Sequence, residues 1–218
     1  MKRIFLTALL LALAACSVPV DAPPFPTALP AESPLAALPP AETFTQTSPP
    51  TAVPSFCEDH RPRDLIQTLQ MALQTKDGTG FATLVSPFLG VNVTYIRNGN
   101  TISYDVEHAK FIFESTFPAD WGLAVGSGEA VVGSFQDIVL PSLQQVFTAD
   151  ATLACGEIQT GGVTYIPQWP YPEMGYYSVH FPGSEAFGNM DWQTWLVGIS
   201  FEAGEPHLAV LLHFAWEP

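Results

Sequence analysis

Several side chains that can do chemistry lie in the second half of the chain, and they form a candidate site. A histidine and an aspartate within hydrogen-bond reach can act as general base and general acid. Tryptophans beside them would add the aromatic floor of a pocket for a small apolar or sugar-like ligand. The candidate pocket residues are Trp121, His180, Asp191, Trp192, His213 and Trp216.

The same residues also have a structural interpretation. Tryptophans contribute much of any hydrophobic core, and a histidine or an aspartate can satisfy hydrogen bonds close to it in the chain. We favour this interpretation and keep a small hydrolase or isomerase, with His180 and Asp191 as its pair, as the alternative. The two differ in geometry, because a catalytic pair must lie within hydrogen-bond reach in a cavity.

No sequence motif adds a second chemistry. His207 and His213 fall on one face of a predicted strand, but about 20 Å apart, which is too far to share a metal ion. No Cys/His spacing is typical of zinc, and no Gly-x-Ser-x-Gly marks a serine nucleophile. Ser127 in Gly126-Ser127-Gly128 is typical of a turn. We therefore assign no catalytic residue, no metal and no cofactor, and an enzyme is the less favoured class.

The first sixteen residues predict an export signal and an anchor. Lys2 and Arg3 precede an apolar run, and Leu13-Ala14-Ala15-Cys16 closes it with small residues before the cysteine. That order is typical of a signal peptide, and it resembles the lipobox of bacterial lipoproteins. The resemblance implies cleavage after residue 15, lipidation of Cys16 and a location in the cell envelope. The protein would be anchored to the outer face of the membrane, or to the outer membrane if one exists.

Residues 16–55 predict a disordered linker, because proline, alanine and threonine dominate and no Gly, Lys or Arg occurs. Residues 56–218 are long enough for one globular domain. The chain carries a net charge of -14, with 7 basic and 21 acidic residues. Nucleic acid is excluded as a partner, since its phosphates are neutralised by Lys and Arg. The membrane, through the lipid, and a small molecule or an envelope protein remain as partners.

Two cysteines remain once Cys16 is assigned to lipid. Exported proteins mature in an oxidising compartment, where an even pair of cysteines favours a disulfide. We predict a bond between Cys57 and Cys155. It would tie the start of the domain to a late strand and, by the entropy of loop closure, contribute up to ~5 kcal/mol.

Apolar periodicity predicts helices first and strands last. A hairpin is predicted at 90–106, and a helix within 137–147 that either begins near Leu140 or kinks at Pro141. The other predicted helices are 62–76, a short one at 81–85, and 107–117. The other predicted strands are 152–158, 176–181, 192–201 and 207–216.

This element order predicts an α+β domain and is similar to that of NTF2-like (cystatin-like) domains. The resemblance implies N-terminal helices packed on a curved antiparallel sheet. Some domains of this fold are enzymes with an Asp or His base inside the cone, but no motif here matches those residues. The domain also resembles a widespread, uncharacterised group of exported bacterial proteins. The matching pieces are Ala72-Leu73-Gln74-Thr75-Lys76-Asp77, Trp121-Gly122, Gly126-Ser127-Gly128-Glu129, His180-Phe181-Pro182-Gly183, Asp191-Trp192, Leu196-Val197-Gly198-Ile199, His213 and Trp216.

The sequence therefore favours a lipid-anchored, non-enzymatic domain that binds a ligand or another envelope protein. The alternatives are the hydrolase or isomerase described above and a structural spacer of the envelope.

Overall fold

The computed structural model describes residues 55–148 and 150–218. The predicted signal peptide, Cys16 and the predicted linker up to residue 54 lie outside the described residues. Helices dominate the first part of the described chain and long strands the last part, as predicted. In chain order the elements are α1 (Arg61–Thr75), α2 (Gly78–Leu84), β1 (Val91–Thr94), β2 (Thr101–Tyr104), α3 (Val106–Ala109), β3 (Ala119–Leu123), β4 (Ala130–Gly133), a π-helical turn (Phe135–Val139), α4 (Leu140–Val146), β5 (Thr152–Cys155), β6 (Gly175–Phe181), a 3-10 turn (Glu185–Phe187), β7 (Gln193–Glu202) and β8 (Glu205–Ala215).

The first two helices begin and end at local signals in the sequence. α1 has Pro62 in its first turn, where a missing N–H is harmless, and it ends at Lys76, whose φ of 54° is left-handed. Asp77 then caps α2 by accepting a hydrogen bond of 2.9 Å from the backbone N–H of Gly80. α1 buries Leu65, Ile66, Leu69, Ala72 and Leu73 at the predicted helical spacing.

Six strands form one sheet in the order β2-β1-β8-β7-β6-β5. The expectation of an antiparallel sheet holds for four of its strand pairs and is wrong at one, because β1 runs parallel to β8. A parallel pair needs a long crossover connection. The chain between β1 and β8 supplies it, since that stretch includes a second hairpin, α4 and three further strands.

The six-stranded sheet is covered on both of its faces. On one, the helix face, Trp195 and Val197 of β7 join the same core cluster as Leu69 of α1 and Leu143 of α4. On the other, the loop face, Leu196 belongs to a second cluster that the segment between β5 and β6 covers. β7 and β8 are therefore buried on both faces, which explains their nearly continuous apolar sequence. The covering side chains include Ile158, Tyr165, Trp169, Tyr171 and Met174.

Three local features differ from the predictions or resolve them. The predicted helix 107–117 ends after Ala109, because the following backbone bonds are mostly tighter i to i−3 bonds, such as Ile112 N–H to Ala109 O. Residues 119–133 form a separate two-stranded hairpin, β3–β4, that was not predicted, although the turn at Gly126-Ser127-Gly128 lies within it. The π-helical turn leads into α4 at Leu140, so the helix begins there with Pro141 in its first turn.

The disulfide between Cys57 and Cys155 is present, as predicted. Its Cα atoms lie 5.8 Å apart, within the normal range for a disulfide, and 98 positions separate the two residues. The bond joins the segment before α1 to the last residue of β5, an edge strand of the sheet.

Candidate functional site

Two of the predicted pocket residues are fully buried tryptophans on different faces of the sheet. Trp121 belongs to the helix-face core, and its Nε1–H donates to the carbonyl of Gly133 at 3.0 Å. Trp192 lies in the loop-face cluster, and its Nε1–H donates to the carbonyl of Gly162 at 3.1 Å. Both indoles are therefore packed and hydrogen-bonded, and neither forms the floor of an open cavity.

His180 lies on the loop face beside Trp192, with ring centroids 6.2 Å apart. The hydroxyl of Thr194 donates to the carbonyl of Gln159 at 2.7 Å, so Nδ1 of His180 is the donor in its 2.8 Å bond to Thr194 Oγ1. Burial lowers the pKa of His180 below its usual value, and the ring is neutral at neutral pH. These contacts give the histidine a packing and hydrogen-bonding role.

Asp191 caps a surface turn instead of facing His180. Its two carboxylate oxygens accept hydrogen bonds from the backbone N–H of Ser184 at 2.7 Å and from the Ser184 hydroxyl at 2.9 Å. The backbone bond is the main cause of the lowered pKa of Asp191. Within the described residues no hydrogen bond joins Asp191 to His180, so the structure does not bring the proposed acid–base pair together.

His213 is the centre of a buried polar network on the helix face. We define the His213 network as His213, Tyr95, Ser142, Gln193 and Trp195. Its ring lies between those of Tyr95 and Trp195, with centroids 4.9 and 4.7 Å away. Nδ1 donates to the carbonyl of Tyr95 at 3.0 Å, and Nε2 lies 3.1 Å from Gln193 Oε1 and 3.3 Å from Ser142 Oγ. The indole N–H of Trp195 donates to Ser142 Oγ at 2.9 Å.

Burial lowers the pKa of His213 to about 4, so the imidazole is neutral at neutral pH. A neutral ring that donates from Nδ1 to the Tyr95 carbonyl and lies between two aromatic rings stabilises the fold and offers little to a substrate.

Trp216 is the most exposed of the predicted site residues, with 40% of its surface in solvent. On one side it shares a small cleft of about 190 Å³ with His213 and Tyr95. On the other it borders a depression that includes Asp191. The six predicted residues are thus divided between the two faces and one end of the sheet, and they do not line one cavity.

The structure instead shows an apolar cavity that the sequence analysis missed. We call it the apolar groove. It has a volume of about 620 Å³ and lies between β2 and residues 108–119, with Phe135 also in its lining. Phe111 and Phe117 expose 60% and 79% of their surfaces, which is unusual for phenylalanine. The lining residues are Ile102, Ser103, Tyr104, His108, Phe111, Ile112, Ser115, Phe117, Ala119 and Phe135.

The chain after α3 forms one wall of the apolar groove because Ile112 and Phe113 are buried while Phe111 stays exposed. Phe113 is buried, with its ring 5.3 Å from that of Phe81 and 6.1 Å from that of Phe135. Phe111 and Phe117 are left outside this contact. Tyr104 contributes to the lining from β2, and burial raises the pKa of its hydroxyl to about 12. The one available signal in the sequence was an excess of phenylalanine, more than one side of a short helix can bury.

A second cavity, of about 610 Å³, has Asp59 and Arg61 in its lining, and these two charged groups are paired with each other. Arg61 binds the carboxylate of Asp59 through Nε, at 3.0 Å to each oxygen, and its guanidinium carbon lies 5.7 Å from the centre of the Phe201 ring. The hydrogen bonds from Arg61 lower the pKa of Asp59 to about 2. We therefore take the apolar groove as the candidate site.

Neither a metal cluster nor a membrane-spanning helix is found in residues 55–148 and 150–218. No three His, Cys, Asp or Glu side chains are grouped so that they could hold a metal ion. No helix there has both the length and the apolar character needed to cross a bilayer.

No family model matches the chain, and no curated protein matches it. A solved structure to which the chain is similar is an NTF-2 like protein of unknown function from Silicibacter pomeroyi DSS-3. The two share 10% identity over 71% of this chain and 92% of that chain, with a TM-score of 0.33. A likeness at that TM-score carries no weight in the interpretation of this protein.

Proposed function

We propose that this protein is a lipid-anchored, extracytoplasmic binding protein without enzymatic activity, and that the apolar groove is its binding site. Lipid on Cys16 would hold it at the outer face of the membrane, and the proline-rich stretch after it would hold the domain away from the surface. The observation that carries the binding proposal is the groove itself, an apolar cavity of about 620 Å³ with two largely exposed phenylalanine rings in its lining.

The described elements support an NTF2-like arrangement for the domain. α1 packs on the sheet near β8, and the sheet closes with the long β7–β8 hairpin. This agrees with what the sequence resemblance implies for helix and sheet. In such a domain the space between helix and sheet would be the natural ligand pocket. Here Trp195, Leu73 and Phe81 fill it, which favours a site at the edge of the sheet.

The chemistry of the apolar groove favours an apolar ligand. Its polar side chains are few, and none belongs to a charged pair inside the cavity. Ser115 Oγ accepts from the backbone N–H of Phe117 at 3.3 Å, and His108 is bonded to Asp105 at 2.8 Å. A ligand would therefore gain free energy mainly from burial of apolar surface, at ~25 cal/mol for each Å². The enzyme alternative has no comparable support, since His180 and Asp191 have separate partners.

The binding proposal is tested with a neutral apolar dye, N-phenyl-1-naphthylamine, whose fluorescence rises in an apolar site. Titration of the full-length protein should show saturable binding, and Phe117→Ser should weaken it at least about tenfold, because a buried aromatic ring contributes a few kcal/mol. Phe88→Ser is the matched control, since Phe88 is 85% exposed and lies outside the groove. Equal binding by both variants and the wild type would exclude the groove as the site.

The anchor is tested separately by growth with a clickable palmitate analogue. The wild type should be labelled and Cys16→Ala should not, while Ser17→Ala keeps the label. Label on the Cys16→Ala protein, or none on the wild type, would contradict lipidation.

A further inference from the structure

One side of β2 has no strand beside it in the described residues. β2 is an end member of the six-stranded sheet and pairs with β1 alone. The nearest backbone bond on its free side comes from the residue before it, where Asn100 N–H donates to the carbonyl of Trp121 at 3.1 Å. Along an antiparallel pair the bonded residues alternate, so two of the four β2 residues direct their N–H and C=O groups away from β1. Such an edge is a template for another strand.

The apolar groove runs along this free edge. Ile102 and Tyr104 pack against the helix-face core, whereas the Ser103 hydroxyl donates to Asn92 Oδ1 at 2.5 Å. Successive side chains of a strand point to opposite faces, yet all three of these consecutive residues line the groove. A cavity lined by residues whose side chains point to both faces of β2 must also extend along the free edge of that strand. An extended chain in the groove would therefore lie beside the free backbone groups of β2.

The negative charge around the groove favours a positively charged partner. Asp105, Glu107 and Glu114 lie on the neighbouring segment, where Lys110 is bonded to Glu107 at 2.7 Å and His108 to Asp105 at 2.8 Å. The whole chain has 21 acidic and 7 basic residues. A second copy would bring the same negative charge. Residues 17–54 contain no Lys or Arg, and their prolines lack the N–H that a strand donates.

We infer that β2 accepts an extended, basic segment of another protein as an additional strand, with apolar side chains entering the groove and Lys or Arg facing the acidic surface. The inference rests on the proposed function of the groove as a binding site and gives that site its partner. Backbone hydrogen bonds would supply part of the affinity, and the phenylalanine-lined groove would select alternate apolar side chains.

The test uses a fluorescein-labelled, end-blocked hexapeptide in which Val and Lys alternate, with the full-length protein and fluorescence anisotropy as the readout. Two further peptides carry N-methyl groups, one on the three Val amides and the other on the three Lys amides. Alternate residues of a strand present their N–H groups to opposite edges, so only one methylated set can block the bonds to β2. We expect that set to weaken binding at least about tenfold and the other to change it by less than about threefold. Equal effects of the two sets would overturn the inference.

Replacement of the three Lys residues by Glu should also weaken binding at least about tenfold, because the acidic surface would repel the peptide. Unchanged or tighter binding of the Glu peptide would overturn the choice of a basic partner.

A photo-crosslinking residue, p-benzoylphenylalanine, at position 117 identifies the occupant directly. Crosslinks to the Val/Lys peptide support the inference. Crosslinks to a second copy, or to residues 17–54 of the same chain in the presence of the peptide, overturn it.

If the dye binds in a manner that depends on Phe117 but the two methylated peptides behave alike, the proposed function stands and the strand partner fails. If neither the dye nor any peptide binds, both fail.

Discussion

The His213 network and the apolar groove are both built from aromatic side chains near the helix face. These side chains are buried in the network, whereas in the groove two of them are exposed. In the network, the rings of Tyr95 and Trp195 enclose His213, and the Ser142 and Gln193 side chains lie within 3.3 Å of its Nε2. In the groove, Phe111 and Phe117 stay in solvent although the core begins next to them. The histidine and its polar neighbours, which could in principle do chemistry, thus stabilise the fold. The exposed phenylalanines, which have no reactive group, identify the surface that is available to a ligand.

The largest expected effect is in the network. Trp195→Ala should lower the free energy of unfolding by about 3–5 kcal/mol, because it leaves a cavity and removes the donor to Ser142 Oγ. Urea denaturation followed by circular dichroism measures the change. Trp216→Ala is the control and should cost less than about 1 kcal/mol, since Trp216 is partly exposed beyond the end of β8. Similar losses for the two variants would contradict the division between a closed network and an open surface.

The pH dependence of stability should also come from the network. The pKa of His213 is about 4 in the folded protein and about 6.5 in an unfolded chain. A lowered pKa means that the unfolded state binds the proton first. The stability from the neutral ring is therefore complete above pH 6.5 and is lost as the pH falls toward 4, by about 3 kcal/mol in total.

Free energies of unfolding measured from pH 7.5 to pH 4 check this prediction. His213→Gln cannot titrate and should show a shallower decline, whereas the exposed His108→Gln should follow the wild type. Parallel curves for His213→Gln and the wild type would show that the pKa of His213 is the same in the folded and unfolded states.

A serine on each side of the comparison gives the next smaller effect. Ser142→Ala should cost about 1–3 kcal/mol, because it leaves the Trp195 indole N–H and Gln193 Oε1 without their shared partner in a buried place. Ser115→Ala in the groove should stay within about 0.5 kcal/mol. Chemical denaturation measures the free energy of unfolding of both variants. Equal losses would mean that the side chains of the groove are packed and hydrogen-bonded as tightly as those of the network.

Much of this fold follows from local patterns, whereas the candidate site does not. Pro62, Asp77 and the apolar runs of β7 and β8 define elements whose causes lie within a few residues of sequence. The disulfide also follows from the sequence, because the prediction that Cys16 carries lipid leaves Cys57 and Cys155 as a pair. The parallel β1–β8 pair depends on contacts between distant parts of the chain, and no local pattern encodes it.

The predicted site failed to converge for a physical reason. His180 and His213 both lie on long strands, but their positions direct them to opposite faces, and a difference of one residue in register decides that. Asp191 lies in a turn where Ser184, seven positions earlier in the chain, binds it more readily than a distant histidine can. The groove was not predicted because it is identified by the solvent exposure of Phe111 and Phe117, and the type of a residue does not reveal its exposure.

The smallest expected effect on stability is the one that separates the two regions most clearly. Phe117→Ser removes an aromatic ring, which in a core would cost about 3–5 kcal/mol, but here the ring is 79% exposed. We expect the free energy of unfolding to change by less than about 0.5 kcal/mol, while the same variant loses affinity for N-phenyl-1-naphthylamine. Phe113→Ser, four positions earlier and buried against Phe81 and Phe135, is the matched variant that should destabilise strongly. A loss above about 1 kcal/mol for Phe117→Ser would mean that its ring packs against the domain in solution, and the groove would then be part of the core rather than a place for a partner.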